Sequence, residues 1–232
     1  MNAEPVVCGH RGAPVAAPEN RIAAMHAAAD RGATWVEFDV RPAGDDVLVV
    51  HHDPVTSDGR VIAETPSGEL ADVADTFEAL VGATALGLDV EVKTDRTGRD
   101  TDVLAALVAA ELNAYVPAER LGGSMVVTSF DWAFLDALRL IAPAFETGLL
   151  FMDRRLVDAV AAATSGGHSV VAPWHGLVSA AAVEAAHDAG LRVATWTVNQ
   201  PADIARVISA GVDMIIGNDP ADIVAGIAAA SG

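Results

Sequence analysis

Short segments rich in β-branched and other apolar residues alternate with longer alanine-rich segments along the whole chain. The short segments are typical of buried strands, and the long segments are typical of helices. We predict eight strands, at residues 6–10, 34–40, 86–93, 125–129, 147–151, 169–172, 192–197 and 212–216. We predict eight helices between and after them, near residues 21–31, 75–81, 101–113, 132–141, 156–163, 180–189, 202–210 and 221–230.

Repeated strand–helix units predict a parallel sheet that is covered by helices. Eight such units in 232 residues favour an α/β fold of the TIM (β/α)8 barrel type, with residues 1–232 in a single domain. Ala-Gly pairs at 189–190 and 210–211 indicate helices that end directly before strands. A doubly wound open sheet remains the alternative, because periodicity does not show whether a sheet closes.

One segment interrupts the alternation after the second predicted strand. Residues 43–46 have the composition of a turn, and residues 47–50 have that of a strand that returns beside the second one. Residues 56–70 are polar and rich in turn formers, so we expect a loop or small excursion on the barrel rim.

The chain is strongly acidic, with a formal net charge of −18. This charge argues against nucleic acid as a partner, because a phosphate backbone is bound by clustered lysine and arginine. A single cysteine, Cys8, excludes an internal disulfide and a cysteine-based zinc site. The sequence has no run of about 18 apolar residues and no recognisable signal peptide, so we expect a cytoplasmic protein without a membrane anchor.

The second predicted strand carries two carboxylates. Because side chains alternate along a strand, Glu37 and Asp39 share one face, and the apolar residues between them share the face that meets the helices. Glu37 and Asp39 are therefore expected to point into the barrel mouth. There they either bind a metal or pair with arginine or lysine, since two unpartnered carboxylates would be costly to desolvate.

The third predicted strand repeats this arrangement. Asp89, Glu91 and Lys93 share its inward face. Neighbouring barrel strands then bring Glu91 close to Glu37 and Asp39. Three convergent carboxylates without cysteine describe an oxygen-ligand site, which suits Mg²⁺ or Ca²⁺ rather than structural zinc.

Two histidines and two cations are expected near the same rim. His10 ends the first predicted strand and His52 follows the returning strand. Two imidazoles beside a metal-bound phosphate can act as general base and general acid. Arg11 and Lys93 are candidates for holding phosphate oxygens. Together these residues indicate phosphoryl transfer.

Seven short motifs follow one another along the chain: His10-Arg11-Gly12, Pro18-Glu19-Asn20, Glu37-Phe38-Asp39, His52-Asp53, Glu91-Val92-Lys93, Ser129-Phe130 and Trp196-Thr197-Val198-Asn199. In this order they closely resemble those of the glycerophosphodiester phosphodiesterase family. The resemblance covers nearly the whole chain, and although each motif is weak alone, the ordered set is specific. It implies a TIM-barrel enzyme that hydrolyses glycerophosphodiesters, as small-molecule substrates, to glycerol 3-phosphate and an alcohol.

The resemblance implies a catalytic pair and a metal site. The general acid/base pair would be His10 and His52. The ligands of one divalent ion would be Glu37, Asp39 and Glu91, and the ion would be Mg²⁺ or Ca²⁺, with Mn²⁺ as a third option.

The resemblance also implies residues that bind or support the substrate. Arg11 and Lys93 match positions that contact phosphate. Trp196 matches an aromatic residue at the barrel mouth, with a packing role as the alternative. Glu19 and Asn20 match a supporting pair in the first loop, where Glu19 would order the segment that carries His10.

The mechanism implied by the resemblance uses the substrate's own neighbouring glycerol hydroxyl as the nucleophile. One histidine removes its proton, the other protonates the leaving alcohol, and water then opens the cyclic phosphate. Residues 54–75 form a shorter insertion after the His-Asp motif than is usual in the family. A wider mouth that admits bulkier headgroups is the expected consequence.

Several polar residues keep two interpretations. His51 competes with His52, although only His52 precedes an aspartate as in the family. Asp89 lies deeper than Glu91 and either pairs with Lys93 or binds the metal. His175 follows a late strand and either lines the pocket or has only a structural role. Asn218 and Asp219 follow the last strand, where they either shape the rim or cap the final helix, which is the favoured role.

Two other functions remain open. Phospholipase D-like hydrolysis of lysophospholipids would require an exposed apolar rim or a basic membrane patch. A non-catalytic barrel that only binds phosphodiesters would not need both histidines beside a full carboxylate set. The headgroup and the oligomeric state are not predicted.

Overall fold

This computed structural model describes residues 4–70 and 75–231, which contain nine strands and eight α-helices. The strands are β1 (Val6–Gly9), β2 (Trp35–Pro42), β3 (Leu48–Val50), β4 (Gly87–Val92), β5 (Met125–Ser129), β6 (Thr147–Phe151), β7 (Val170–Pro173), β8 (Arg192–Thr195) and β9 (Met214–Gly217). The helices are α1 (Ile22–Asp30), α2 (Phe77–Ala83), α3 (Thr101–Tyr115), α4 (Trp132–Ile141), α5 (Leu156–Gly166), α6 (Ala180–Asp188), α7 (Pro201–Ala210) and α8 (Pro220–Ser231).

Every predicted strand and helix is present, with ends that differ by a few residues. The predicted returning strand is β3, which pairs antiparallel with β2. The rim segment after it contains single-turn helices at Ile62–Glu64 and Ser67–Glu69. Residues 71–74 of the short insertion lie outside the described residues.

Eight parallel strands close into a barrel. Their hydrogen-bonded order is β1-β9-β8-β7-β6-β5-β4-β2, and β1 also pairs with β2. Cys8 on β1 is paired with Trp35 on one side and with Ile216 on the other, which joins the two ends of the sheet. The TIM barrel prediction is confirmed, and the open doubly wound sheet is ruled out.

The main apolar core lies between the barrel and its helices. Val36, Phe38 and Val40 on the outer face of β2 are fully buried there, as the alternation predicts. Phe38 packs against Phe77 of α2, with ring centroids 6.3 Å apart. Among the described helices, none is both long enough and apolar enough to cross a membrane.

The loop between β1 and α1 has an unusual backbone. Arg11 and Asn20 adopt positive φ angles of 53° and 57°, and Gly12 has a φ of 87°. A Cβ atom at Gly12 would lie 2.5 Å from the carbonyl carbon of Ala24, so only glycine fits between this loop and α1. The conformation aims the residues after β1 at the barrel mouth.

Candidate active site

Three carboxylates meet at the carboxyl end of the barrel. Glu37 and Asp39 lie on the inner face of β2, and Asp39 is the register partner of Glu91 on β4. Each of the three offers an oxygen within 4.8 Å of the others. All three side chains are buried. The convergence predicted from strand alternation is therefore present.

These carboxylates ionise unequally. Burial, followed by repulsion from Asp39 and Glu91, raises the pKa of Glu37 well above its usual value. Burial and the charge of Asp39 raise the pKa of Glu91 to about 7. Burial also opposes ionisation of Asp39, but Lys93 and Arg11 outweigh it and hold the pKa of that carboxyl below its usual value. A further positive charge beside the three carboxyl groups would favour their ionised forms.

Two cations lie beside Asp39. The Nε atom of Arg11 is 3.2 Å from Asp39 Oδ2, and Lys93 Nζ is 3.0 Å from Asp39 Oδ1. Lys93 also pairs with Glu91. In the first loop, Arg11 Nη1 donates a hydrogen bond of 2.8 Å to Glu19 Oε1. Glu19 thus orients Arg11. Arg11 and Lys93 are both within reach of an anion that binds at the barrel mouth.

Asn20 orients Asp39 through two hydrogen bonds. Its side-chain Nδ2 donates to Asp39 Oδ2 at 2.8 Å, and the Asp39 amide donates to Asn20 Oδ1 at 3.1 Å. The positive φ of Asn20 is one that asparagine tolerates better than most residues. Asn20 therefore fixes the carboxylate that both cations approach.

The carboxylate oxygens have bonding capacity that the protein leaves unused. Glu37 Oε2 accepts a hydrogen bond of 2.8 Å from the Arg11 amide. Glu37 Oε1 is buried and accepts no hydrogen bond from the described residues, and Asp39 Oδ1 has its ion pair with Lys93 but no hydrogen bond. A buried acceptor without a donor is costly. Three oxygen donors with such spare capacity fit a hard divalent cation.

His10 borders this cluster and is fixed in one tautomer. Its Nδ1 lies 2.8 Å from Asn218 Oδ1, in the loop after β9. Because a carbonyl oxygen only accepts, Nδ1 carries the proton and Nε2 keeps a lone pair. That Nε2 is 3.9 Å from Glu37 Oε2. Burial, then the charge of Arg11, lowers the pKa of His10, so the ring is neutral near pH 7.

His52 lies at the rim of the same mouth. Its side chain is 37% exposed, and its Nδ1 is 2.7 Å from Asp53 Oδ1. His51 is half-buried, and its amide donates to the Asp39 carbonyl at 3.0 Å. Burial lowers the pKa of His51. Of the two rings, His52 is the one that is hydrogen-bonded to the aspartate that follows it in the His-Asp motif.

Arg41 holds the segment that carries His52, and sequence reasoning missed it. Its Nε donates to the His52 carbonyl at 2.8 Å, and two further nitrogens donate to the carbonyl and carboxylate of Asp95 at 2.9 and 2.8 Å. The alternation that placed Glu37 and Asp39 on the inner face of β2 places Arg41 there too. The signal for Arg41 was present in the sequence.

Aromatic residues form another wall of the mouth. Trp196 and Phe130 meet edge to face, with ring centroids 5.4 Å apart. Trp196 Nε1 donates to the Ala172 carbonyl at 2.8 Å, and Lys93 Nζ lies 5.9 Å from the Phe130 centroid. Phe130 is exposed. Trp196 therefore packs against its neighbours and also borders the mouth.

Comparison with known proteins identifies the family of this chain. The sequence profile of the glycerophosphoryl diester phosphodiesterase family matches residues 10–222. The chain belongs to this family. A glycerophosphodiester phosphodiesterase of Caldanaerobacter subterraneus subsp. tengcongensis is 27% identical over 241 residues, which covers 94% of this chain and 96% of the relative. The protein is an enzyme, a phosphoric diester hydrolase that acts on glycerophosphodiesters.

Solved structures share the fold along the full length of this phosphodiesterase. A Silicibacter pomeroyi structure superposes with a TM-score of 0.87 at 26% identity, covering 100% of this chain and 95% of that chain. An Oleispira antarctica phosphodiesterase, in complex with the product sn-glycerol-3-phosphate, superposes with a TM-score of 0.85 at 22% identity, over 97% of both chains.

The structure corrects one interpretation of Asp89. Asp89 does not pair with Lys93, whose amino group lies between Asp39 and Glu91. Instead, Thr128 on β5 donates a hydrogen bond of 2.7 Å to Asp89 Oδ1. Burial raises the pKa of Asp89 to about 7. Asp89 thus lies below the carboxylate cluster of this phosphodiesterase rather than in it.

The roles expected for Asn218 and Asp219 are divided in the structure. Asp219 Oδ1 accepts a hydrogen bond of 3.0 Å from the Ala221 amide at the start of α8, which is a capping contact. Asn218 instead holds His10, so the expectation that it caps the final helix is wrong. His175 packs at the rim, with its Nδ1 3.5 Å from an Asp203 carboxylate oxygen.

Proposed function

We propose that this enzyme releases glycerol 3-phosphate and an alcohol by metal-assisted acid–base catalysis. The observation that carries the proposal is the unused, buried oxygen Oε1 of Glu37 in a carboxylate cluster beside a neutral His10. The glycerol 3-phosphate bound to the Oleispira antarctica relative supports the same product here.

The proposed metal ligands are Glu37, Asp39 and Glu91. When bound, a divalent cation such as Mg²⁺, Ca²⁺ or Mn²⁺ would polarise the phosphoryl oxygens and make the attacking hydroxyl more acidic. Arg11 and Lys93 flank the cluster within reach of an anion and are proposed to bind the remaining phosphate oxygens.

His10 is proposed as the general base and His52 as the general acid. The glycerol hydroxyl next to the phosphodiester attacks phosphorus and loses its proton to His10 Nε2. The bond from phosphorus to the leaving alcohol breaks as His52 protonates the alcohol oxygen. In the second step, His52 takes a proton from water, which attacks the cyclic phosphate, and His10 returns its proton to the glycerol oxygen.

Exposed apolar residues at the barrel rim support a second class of substrate. Phe130, Met152 and Trp174, which follow β5, β6 and β7, are exposed large apolar residues at the barrel mouth. An exposed apolar rim is what phospholipase D-like hydrolysis of lysophospholipids would require. Lysophospholipids are therefore the second candidate substrates.

The test is release of glycerol 3-phosphate from glycerophosphocholine and glycerophosphoethanolamine, with EDTA or with added Mg²⁺, Ca²⁺ or Mn²⁺. We expect release that depends on the metal and is lost in His10→Ala. His26→Ala is the matched control, because His26 is an exposed residue on α1 whose ring bonds to the Ala83 carbonyl rather than to a residue of the carboxylate cluster. Full activity of His10→Ala would contradict the proposed base.

Two further substrates test the internal-attack route and the lipid substrate class. A phosphodiester that lacks the neighbouring hydroxyl should not be hydrolysed, because it cannot form the cyclic phosphate. Normal turnover of this analogue would overturn the internal-attack route. Choline release from lysophosphatidylcholine, at a rate above that from glycerophosphocholine, would favour the lipid substrate class.

A further inference from the structure

A second cavity opens at the amino-terminal end of the barrel, opposite the active site. Its volume is about 450 Å³. Residues at its rim precede or begin strands: Glu4, Gly123, Arg192, Gly211 and Asp213. In most TIM barrels, side chains fill the interior at the amino-terminal end of the strands. Small-molecule sites commonly have volumes of roughly 300–1,000 Å³. The cavity is therefore large enough for a ligand.

Small inward-facing residues create this space. Ala194 on β8, which lines the cavity, contributes only a methyl group to the interior. On β4, a Cβ atom at Gly87 would lie 2.3 Å from the Trp35 ring, so glycine allows the indole to lie flat against the strand. The indole then forms a wall of the cavity instead of filling it.

The cavity combines apolar walls with one buried carboxyl group. The walls are formed mainly by Val6, Trp35, Val126, Val170, Ala194 and Met214. Asp89 lines both this cavity and the narrow crevice beneath the active site, so it lies at the inner end. It is 1% exposed, and only Thr128 among the described side chains donates to its carboxyl group. One carboxyl oxygen is left for a ligand.

The charges at the rim disfavour an anion. Arg192 is already paired with Glu146, and Asp213 accepts hydrogen bonds from His187 and the Val193 amide at 2.9 and 2.7 Å. Glu4 adds a negative charge at the opening, and the whole chain carries −18. A ligand with a positive group is attracted by this field, and an anion is repelled.

We propose that this lower cavity binds a small amphipathic amine, with its ammonium group on Asp89 and its apolar body against Trp35 and Met214. Asp89 is two residues above Gly87, the first residue of β4, which places the carboxyl group roughly 7 Å inside the barrel. An aryl or alkyl amine with a chain of that length spans the cavity. The aromatic face of Trp35 also favours a cation.

The test is calorimetric titration of the metal-loaded protein with benzylamine, benzyl alcohol and benzoate. We expect benzylamine to bind at least about tenfold more tightly than either analogue. Equal binding of benzoate would overturn the proposal. Saturating glycerol 3-phosphate should leave benzylamine binding unchanged. Competition between the two would place the amine at the active-site mouth and would also overturn the proposal.

Three variants locate the site. Ala194→Leu and Val170→Phe fill the cavity and should each abolish benzylamine binding while release of glycerol 3-phosphate and the melting temperature are retained. Asp89→Asn should weaken benzylamine binding about tenfold or more but leave benzyl alcohol binding unchanged. Undiminished benzylamine binding by a folded cavity-filling variant, or by Asp89→Asn, would contradict the proposed site.

Discussion

Asn218 Oδ1 lies 2.8 Å from His10 Nδ1, so the loop after the last strand fixes the ring at the end of the first strand. The contact keeps the proton on Nδ1 and the lone pair on Nε2, the atom that we propose accepts the proton of the attacking hydroxyl. Asn218→Ala should therefore lower kcat roughly 10- to 100-fold with little change in KM. Steady-state kinetics on glycerophosphocholine would measure the effect.

The matched control for this variant is Asn113→Ala. Asn113 lies on α3 and donates to the Ala109 carbonyl, away from the barrel mouth. It should keep the parent kcat. If Asn218→Ala and Asn113→Ala have the same kcat, the hydrogen bond to His10 has no catalytic effect.

Replacing each rim histidine in turn should separate their roles. His52→Ala removes the proposed general acid, and a loss of kcat on the order of 10²–10⁴-fold is expected. His51→Ala should retain most of the activity, because no carboxylate among the described residues is hydrogen-bonded to the His51 ring as Asp53 is to His52. The reverse pattern of activities, with both variants folded by circular dichroism, would assign the acid to His51.

The loss of activity at acidic pH should report the protonation of His10. Burial and the charge of Arg11 lower the pKa of His10 from its usual 6.5, and the proposed base works only when neutral. The kcat/KM should therefore be maintained as the pH falls to about 6.5 and should decline below it. Because the Asn218 hydrogen bond raises the pKa of His10, Asn218→Ala should move this decline to lower pH. A shift to higher pH would contradict the assignment.

The metal-free protein should become less stable as the pH rises. Burial raises the folded-state pKa of Glu91 from 4.5 to about 7 and that of Glu37 well above its usual value. Between the unfolded and folded pKa values, the folded state binds more protons, so its free energy of unfolding falls with increasing pH. For Glu91 the loss is on the order of 3 kcal/mol between pH 4.5 and pH 7.

Urea unfolding in EDTA at pH 5 and pH 8 would measure this loss of stability. Added Mg²⁺ should reduce it, because a bound cation favours the ionised carboxylates. Glu91→Gln should also reduce it, since the amide does not titrate. If the metal-free parent and Glu91→Gln lose the same free energy of unfolding between the two pH values, the pKa of Glu91 is not raised in the folded protein.

Removing the Arg41 side chain should reduce both stability and activity. Arg41 is buried and donates three hydrogen bonds, one to the His52 carbonyl and two to Asp95. Arg41→Ala should destabilise the protein by about 3 kcal/mol and lower kcat, because the segment that carries His52 loses its anchor. Arg139→Ala is the comparison, since Arg139 donates to Gly166, far from His52. Equal kcat values for the two variants would contradict the anchoring role.

Local periodicity was enough to predict the part of the site that lies within single strands. The alternation along β2 and β4 placed Glu37, Asp39 and Glu91 on inward faces, and the parallel register of the two strands then made them neighbours. Arg41 obeys the same rule and was overlooked, since its role depends on the carbonyl groups of loops that periodicity does not position.

Contacts between distant segments could not be predicted in this way. His10 and Asn218 are 208 positions apart, and only the closure of the barrel between β1 and β9 brings them together. Likewise, Asp89 and Lys93 share one face of β4, which suggested a pair. In the folded barrel, Thr128 on the neighbouring strand β5 instead donates its hydroxyl hydrogen bond to Asp89.

The closure of β1 against β9 has a consequence for the newly made protein. The ribosome releases β1 first and β9 last, so His10 leaves the exit tunnel long before its partner Asn218 is synthesised. Until then, the first strand has only one of its two neighbours, and the histidine has no hydrogen bond to set its tautomer. The proposed base of a nascent chain therefore acquires its fixed tautomer only when the last strand–helix unit joins the first strand.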